Sequence, residues 1–144
     1  MKVINILKLD DCNYVKTIDF LRSVPSLENI DDKILKNACI ALDDDKIVGC
    51  ISYEEYSSKG LIRYFVFKKA LDLDYLDQLV EKLKENALMN NIKEFVCVAE
   101  NEQIKELFSN LDFMDVKEKY IFVDEESVIN TNFKNSSFLK KQLI

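Results

Sequence analysis

Histidine is missing altogether from these 144 residues. That removes the Ser-His-Asp triad, the imidazole general base, the histidine-ligated metal and the imidazole pH switch from the possible chemistries. Cysteine offers little more. Cys12, Cys39, Cys50 and Cys97 contain no Cys-x-x-Cys pair, so neither a zinc knuckle nor a redox dithiol is supported. Their apolar neighbours predict that most are small core residues and that all four react slowly in the native state. The run Asp43-Asp44-Asp45 reads as a solvated turn. Adjacent carboxylates on a turn point apart, and no glycine shapes a calcium loop there. No metal is expected.

Composition narrows the partners. A net charge of −6, from 26 acidic and 20 basic residues, argues against an extended nucleic-acid face, which needs clustered Lys and Arg. No apolar run approaches the roughly 18 residues of a membrane span, and Met1-Lys2-Val3-Ile4-Asn5 has no apolar signal region. A cytoplasmic protein with reduced thiols and no membrane partner is the expectation. The length suits one domain, 1–144, with a core that needs no disulfide or metal.

The elements that must position any site follow from periodicity. Val3 to Leu9 reads as a strand ended by Asp10-Asp11. Val15, Ile18 and Leu21 recur at helical spacing, and Asp31-Asp32 can cap a short second helix. Cys39 to Leu42 and Ile47 to Tyr53 flank the acidic turn as a hairpin, and a turn at Ser57-Ser58-Lys59-Gly60 leads into a strand from Leu61 to Phe67. Leu73, Leu76, Val80, Leu83 and Ala87 mark the longest amphipathic helix. A strand from Ile92 to Ala99, a helix carrying Ile104, Leu107, Phe108 and Leu111, a long strand from Met114 to Val123, a polar connection and a final strand from Phe138 to Ile144 complete the chain. The order β-α-α-β-β-β-α-β-α-β-β predicts an α/β protein, a mixed sheet with helices on both faces.

Two stretches give this order a closer likeness. Val66, followed through Leu71, Asp72, Asp74 and Leu76 to the aliphatic pair Leu79-Val80, falls without a gap on one frame; Asn101, Ile104, Leu107, Phe108, Asp112 and Phe113 fall on another. With Val48-Gly49 and the ending Phe138-Leu139-Lys140-Lys141-Gln142-Leu143, the chain resembles the GNAT superfamily of acyl-coenzyme A N-acyltransferases over almost its whole length. The resemblance implies a central sheet splayed between the fourth and fifth strands. It implies acetyl-coenzyme A as acyl donor and an amine as acceptor, with contacts to coenzyme A from Phe65, Val66, Phe67, Asn101 and Phe108. In that family, backbone groups around the Val66 position hold the pantetheine arm like an added strand, and one N–H polarises the thioester carbonyl.

The same frames show where this chain departs from the family. Leu71 stands at the family's Arg/Gln, and Asp72, Asp74 and Leu76 stand at small positions of the pyrophosphate loop. Carboxylates about 6 Å from a phosphate charge, at an effective dielectric of roughly 20 to 40, cost on the order of 1–3 kcal/mol per pair. Lys68 and Lys69 offset part of this. As a helix start, Asp72 or Asp74 is read as a cap for free N–H groups. Phe108 stands where many members carry the Tyr that protonates the departing thiolate; Tyr64 and Tyr75 are substitutes in principle. Glu54, Glu55 and Glu100 are the candidate bases, each also readable as a solvated strand-end acid. No catalytic residue is assigned. Three readings follow: an N-acyltransferase with an atypical loop, a non-catalytic binding or interaction module of the same fold that has lost coenzyme A binding, or an unrelated α/β binding domain. An exposed final strand would allow a homodimer.

Overall fold

The computed structural model describes residues 3–25, 27, 29–69, 71–99, 101–116, 122–123, 126–127 and 137–143. Acidic and amide side chains start its helices. Asp31 accepts from the Lys33 N–H at 2.9 Å and opens the short α2 (Asp32–Leu35). Asp72 accepts from the Tyr75 N–H at 3.2 Å and opens α3 (Leu73–Met89), as the sequence predicts. Asn101 accepts from the Ile104 N–H at 2.9 Å and opens α4 (Glu102–Asn110). Each oxygen satisfies a backbone donor that the helix cannot pair internally. The Tyr14 hydroxyl, at the head of α1 (Tyr14–Arg22), donates to Asp32 and ties α1 to α2.

The strands are β1 (Ile4–Lys8), β2 (Cys39–Asp43), β3 (Lys46–Tyr56), β4 (Lys59–Phe67), β5 (Glu94–Ala99), β6 (Met114–Val116), β7 (Phe122–Val123), β8 (Glu126–Ser127) and β9 (Ser137–Gln142). Seven of them form one sheet in the order β1-β2-β3-β4-β5-β9-β6, and β7 pairs with β8 separately. The sole parallel pair among the described strands is β4 with β5. α1 and α2 cover one face, where Leu21, Ile34, Leu35, Ile40, Cys50 and Tyr64 pack together. α3 and α4 cover the other, over Ile51, Tyr53, Phe95, Cys97 and Leu139. The predicted mixed sheet with helices on both faces is therefore observed. At the helix ends the stripes run out: Val15 and Leu73 are exposed.

Several boundaries differ from the sequence reading. β4 begins at Lys59, because the turn needs just Ser57, in the left-handed region at φ 55°, and Ser58. Of the predicted strand from Met114 to Val123, Met114–Val116 form β6 and Phe122–Val123 form β7, paired with Glu126 and Ser127; 117–121 lie outside the described residues. The final strand is not an exposed edge, since β9 is paired on both sides by β5 and β6. Cys12 is exposed in a 3-10 turn (Asp11–Asn13), so the expectation of four protected thiols fails there. The other three thiols are buried, and desolvation pushes Cys39 up to about 11 and raises Cys50 and Cys97 further. No helix among the described residues is long and apolar enough to cross a membrane.

The end of α4 explains one motif residue. The Asp112 N–H donates to the Ser109 carbonyl at 3.2 Å and the Phe113 N–H to the Phe108 carbonyl at 3.0 Å, while Asp112 adopts φ 68°. This is a Schellman stop with an aspartate at the left-handed position that glycine usually fills, and its usual apolar clasp is the Phe108–Phe113 pair, 5.1 Å between centroids. Asp112→Gly is expected to stabilise the protein by about 0.5–1 kcal/mol, because it relieves the left-handed penalty at a fixed conformation. Urea unfolding of the two proteins checks it; a loss of stability would show that the Asp112 side chain contributes more than its backbone costs.

Candidate functional site

β4 and β5 are neighbours for three residues and then part. Lys59 pairs with Glu94, Gly60 with Phe95 and Leu61 with Val96, after which β4 continues to Phe67 and β5 to Ala99 without pairing to each other. The divergence leaves a cavity of about 280 Å³. Its walls are Ile62, Arg63, Tyr64, Phe65 and Phe67 of β4, Cys97 and Val98 of β5, and Ile104, Leu107 and Phe108 of α4. A strand edge with no strand partner beside an apolar cavity suits an extended, mostly neutral ligand that completes the ladder.

A one-residue irregularity in β4 sets which side chains face this cavity. Cys50 pairs with Val66 and Ser52 with Arg63, so Tyr64 and Phe65 both lie opposite Ile51. Tyr64 takes φ 54°, a costly conformation for a bulky residue, of order 1–3 kcal/mol. The bulge offsets the alternation. Phe65 and Phe67 join Ile62 on the α3–α4 face, and Tyr64 and Val66 turn to the α1–α2 face. Phe65 then stacks at 5.2 Å on Phe67 and at 5.5 Å on Phe108.

Of the five residues that the resemblance marks as coenzyme A contacts, three side chains therefore meet at the cavity: Phe65, Phe67 and Phe108. Val66 lies on the same strand edge with its side chain against the opposite core, so it offers the cleft its backbone alone. Asn101 is exposed and caps α4. The cavity also takes in Ile104, Leu107 and Val98, which the sequence marks as helix and strand residues but not as site residues. Glu100 lies outside the described residues.

The connection from β4 to α3 is folded inward. The Lys68 N–H donates to the Val48 carbonyl and the Leu71 N–H to the Lys68 carbonyl, each at 2.9 Å. Leu71 is 5 % exposed and packs in the core with Leu76 and Leu79. Gly49 of β3 makes room for it: a Cβ there would stand 2.7 Å from Leu71 Cδ2 and 3.2 Å from Leu79 Cδ1. Asp72 caps the first turn of α3 through the Tyr75 N–H, with Asp74 exposed beside it. Lys68 and Lys69 are exposed at the end of β4.

Polar groups collect on the far side of β4. Arg63 Nη1 lies 2.5 Å from Glu54 Oε1, and its guanidinium sits 5.5 Å from the Tyr64 ring centroid. Glu54 is thus half of a tight ion pair across the β3–β4 hairpin, where the sequence alone suggested a solvated strand end. The Tyr64 hydroxyl accepts from the Asp31 N–H at 2.8 Å. Asp31, Glu54 and the exposed Glu55 line a second cavity of about 260 Å³ with Lys33, Ile34, Lys36 and Asn37. The Arg63–Glu54 and Tyr64–Asp31 contacts each join a wall of the first cavity to a wall of the second. Cys97 borders the apolar cavity, yet burial raises its pKa, which leaves a protonated, weakly nucleophilic thiol at neutral pH. No group of three or more metal-binding side chains occurs among the described residues.

Comparison with known proteins places the fold. No protein-family model and no curated protein matches the sequence. Among solved structures, N-acetylglutamate synthase from Neisseria gonorrhoeae, complexed with coenzyme A and N-acetyl-glutamate, superposes with a TM-score of 0.77 at 16% identity, covering 99% of this chain and 35% of that one. The chain thus spans about a third of that synthase's length. A GNAT-family acetyltransferase from Staphylococcus aureus Mu50 gives 0.75 at 18% identity, covering 99% of this chain and 100% of that one. An acetyltransferase from Streptococcus agalactiae 2603 gives 0.68 at 15% identity, over 96% and 98%. The chain has the GNAT acetyltransferase fold, as the sequence motifs imply.

Proposed function

We propose that the cleft between β4 and β5 binds the pantetheine arm of an acyl-coenzyme A-type thioester, acetyl-coenzyme A among them, and that the chain transfers the acyl group to an amine. One observation carries this reading: the parallel pair ends at Leu61 and Val96, leaving an unpartnered strand edge along an apolar cavity. An arm with amide groups along its length fits that edge as an added strand. A β4 N–H would polarise the thioester carbonyl. Attack by the amine nitrogen then forms the C–N bond, breaks C–S, and passes a proton from nitrogen to the solvent or to Glu55. Orientation supplies most of the acceleration, because Phe108 brings a ring and no proton to the leaving thiolate. The polar cavity beyond Arg63 and Glu54 is the space for the acceptor, and residues 1–144 act as one domain.

A second reading is favoured by Leu71 and Asp72. A loop whose N–H groups and side chains serve the fold itself fits a module that no longer binds coenzyme A. Free-thiol release from acetyl-coenzyme A with a panel of amines, by the wild-type protein and by Phe108→Tyr, decides between them. Acyl transfer is expected with the wild-type protein and at least tenfold faster with the tyrosine, since a general acid typically contributes 10²–10⁴-fold. No binding and no release by either protein would leave the module reading standing.

A further inference from the structure

We infer that the cleft grips its donor through the pantetheine arm alone, so that acyl-pantetheine thioesters lacking the adenosine pyrophosphate are bound as well as acetyl-coenzyme A. The inference rests on the acyl-thioester reading of the cleft and concerns which end of the donor is recognised. Two parts of the fold bear on it, and they point opposite ways.

The part that meets the arm is intact. The strand edge beyond Leu61 and the cavity under α4 are apolar and uncharged except for Arg63, whose guanidinium is occupied by Glu54 and the Tyr64 ring. A neutral arm enters such a cavity without desolvating a charge, and the free strand edge can take up its amide hydrogen bonds.

The part that would meet a pyrophosphate is turned to the fold's own use and carries negative charge. A helix start binds phosphate when its N–H groups and those of the preceding loop are free to donate. Here the Lys68 and Leu71 N–H groups donate to carbonyls, and Asp72 takes the Tyr75 N–H and sets its own carboxylate over the first turn. Leu71 is buried, so the position cannot extend a polar side chain outward. The charges agree: from Lys68 to Asp77 the chain carries Lys68 and Lys69 against Asp72, Asp74 and Asp77. A pyrophosphate arriving there finds loop donors already paired, the Asp72 and Asp74 carboxylates at the helix start and a net negative surface. The nucleotide half of coenzyme A then adds nothing to binding.

Two sources present such an arm: a small pantetheine thioester, or the phosphopantetheine of an acyl carrier. Calorimetric titrations of the full chain with acetyl-pantetheine, acetyl-4′-phosphopantetheine and acetyl-coenzyme A, at low and at physiological salt, test the inference. Acetyl-pantetheine is expected to bind no more weakly than acetyl-coenzyme A at either salt, up to tenfold tighter at low salt where the carboxylates repel the pyrophosphate, and its own affinity is expected not to depend on salt. The phosphorylated arm sorts the sources: equal binding indicates that a single phosphate, as a carrier would present, is tolerated beside Lys68 and Lys69, tenfold weaker binding indicates a small neutral thioester, and tenfold tighter binding overturns recognition through the arm alone. Acetyl-coenzyme A binding more than threefold tighter than acetyl-pantetheine overturns the inference and leaves the acyl-thioester reading intact. Failure of all three to bind overturns both.

Discussion

Leu71→Arg is expected to destabilise the protein by at least about 3 kcal/mol, although arginine is one of the residues the related motif carries at this position. The leucine is 5 % exposed, against Gly49 and Leu79 in the core shared with α3. Removing it forfeits about 1.5–3 kcal/mol of apolar burial. A guanidinium in its place either stays buried without a partner, at a cost of several kcal/mol, or leaves the site and drags the loop from its carbonyl contacts. Asp72 is exposed, so a pair with it draws the guanidinium out of the core and leaves the space beside Gly49 and Leu79 unfilled. Leu71→Met, which conserves volume, should cost less than about 1.5 kcal/mol and separates loss of packing from introduction of charge. Urea unfolding reads both. A change below about 1 kcal/mol for the arginine variant would mean that the loop turns outward easily, and that an open phosphate loop lies within reach of this sequence.

That the position is a core position was not readable from the sequence, and the reason is physical. Leu71 precedes the Asp72 cap, outside the helical stripe, so periodicity does not mark it; its burial depends on a missing side chain at Gly49, some twenty residues earlier and on another strand. The stripes themselves were legible: Leu76, Val80, Leu83 and Ala87 are buried as the 3.6-residue period requires. So were the caps at Asp31 and Asp72, because capping is local chemistry. Long-range pairing was not. Nothing local distinguishes a final strand at the sheet edge from one inserted between β5 and β6, where Phe138 to Gln142 sit. The bulge at Tyr64 was equally hidden. A one-residue offset changes which face a strand residue takes, and a tyrosine with φ 54° carries no glycine to advertise it. The site residues follow the same division. Phe65, Phe67 and Phe108 were identified by frame, and the structure brings them to one cavity. Arg63 and Glu54, whose contact needs the exact register of the β3–β4 hairpin, were not identified as a pair.

Replacing Asp72 and Asp74 together by Asn is expected to tighten acetyl-coenzyme A binding about tenfold at low salt and to leave acetyl-pantetheine binding unchanged. Asparagine caps a helix about as well as aspartate, so the Tyr75 N–H keeps an acceptor and α3 keeps its start. What changes is charge. Two unit charges about 6 Å apart at an effective dielectric of roughly 20 to 40 interact by on the order of 1–3 kcal/mol, and solvent around these exposed carboxylates holds the effect near the lower value, about one factor of ten. The lost interaction of both carboxylates with the helix dipole costs stability by less than about 1 kcal/mol each, which urea unfolding measures separately. Raising ionic strength toward 1 M, where the screening length falls to about 3 Å, should erase most of the gain. The neutral arm serves as the internal control, because no charge on it can respond to the substitution. An equal gain for both ligands would trace the effect to loop rearrangement and not to repulsion, and no gain for either would mean that the phosphates of bound coenzyme A do not pass the start of α3 at all.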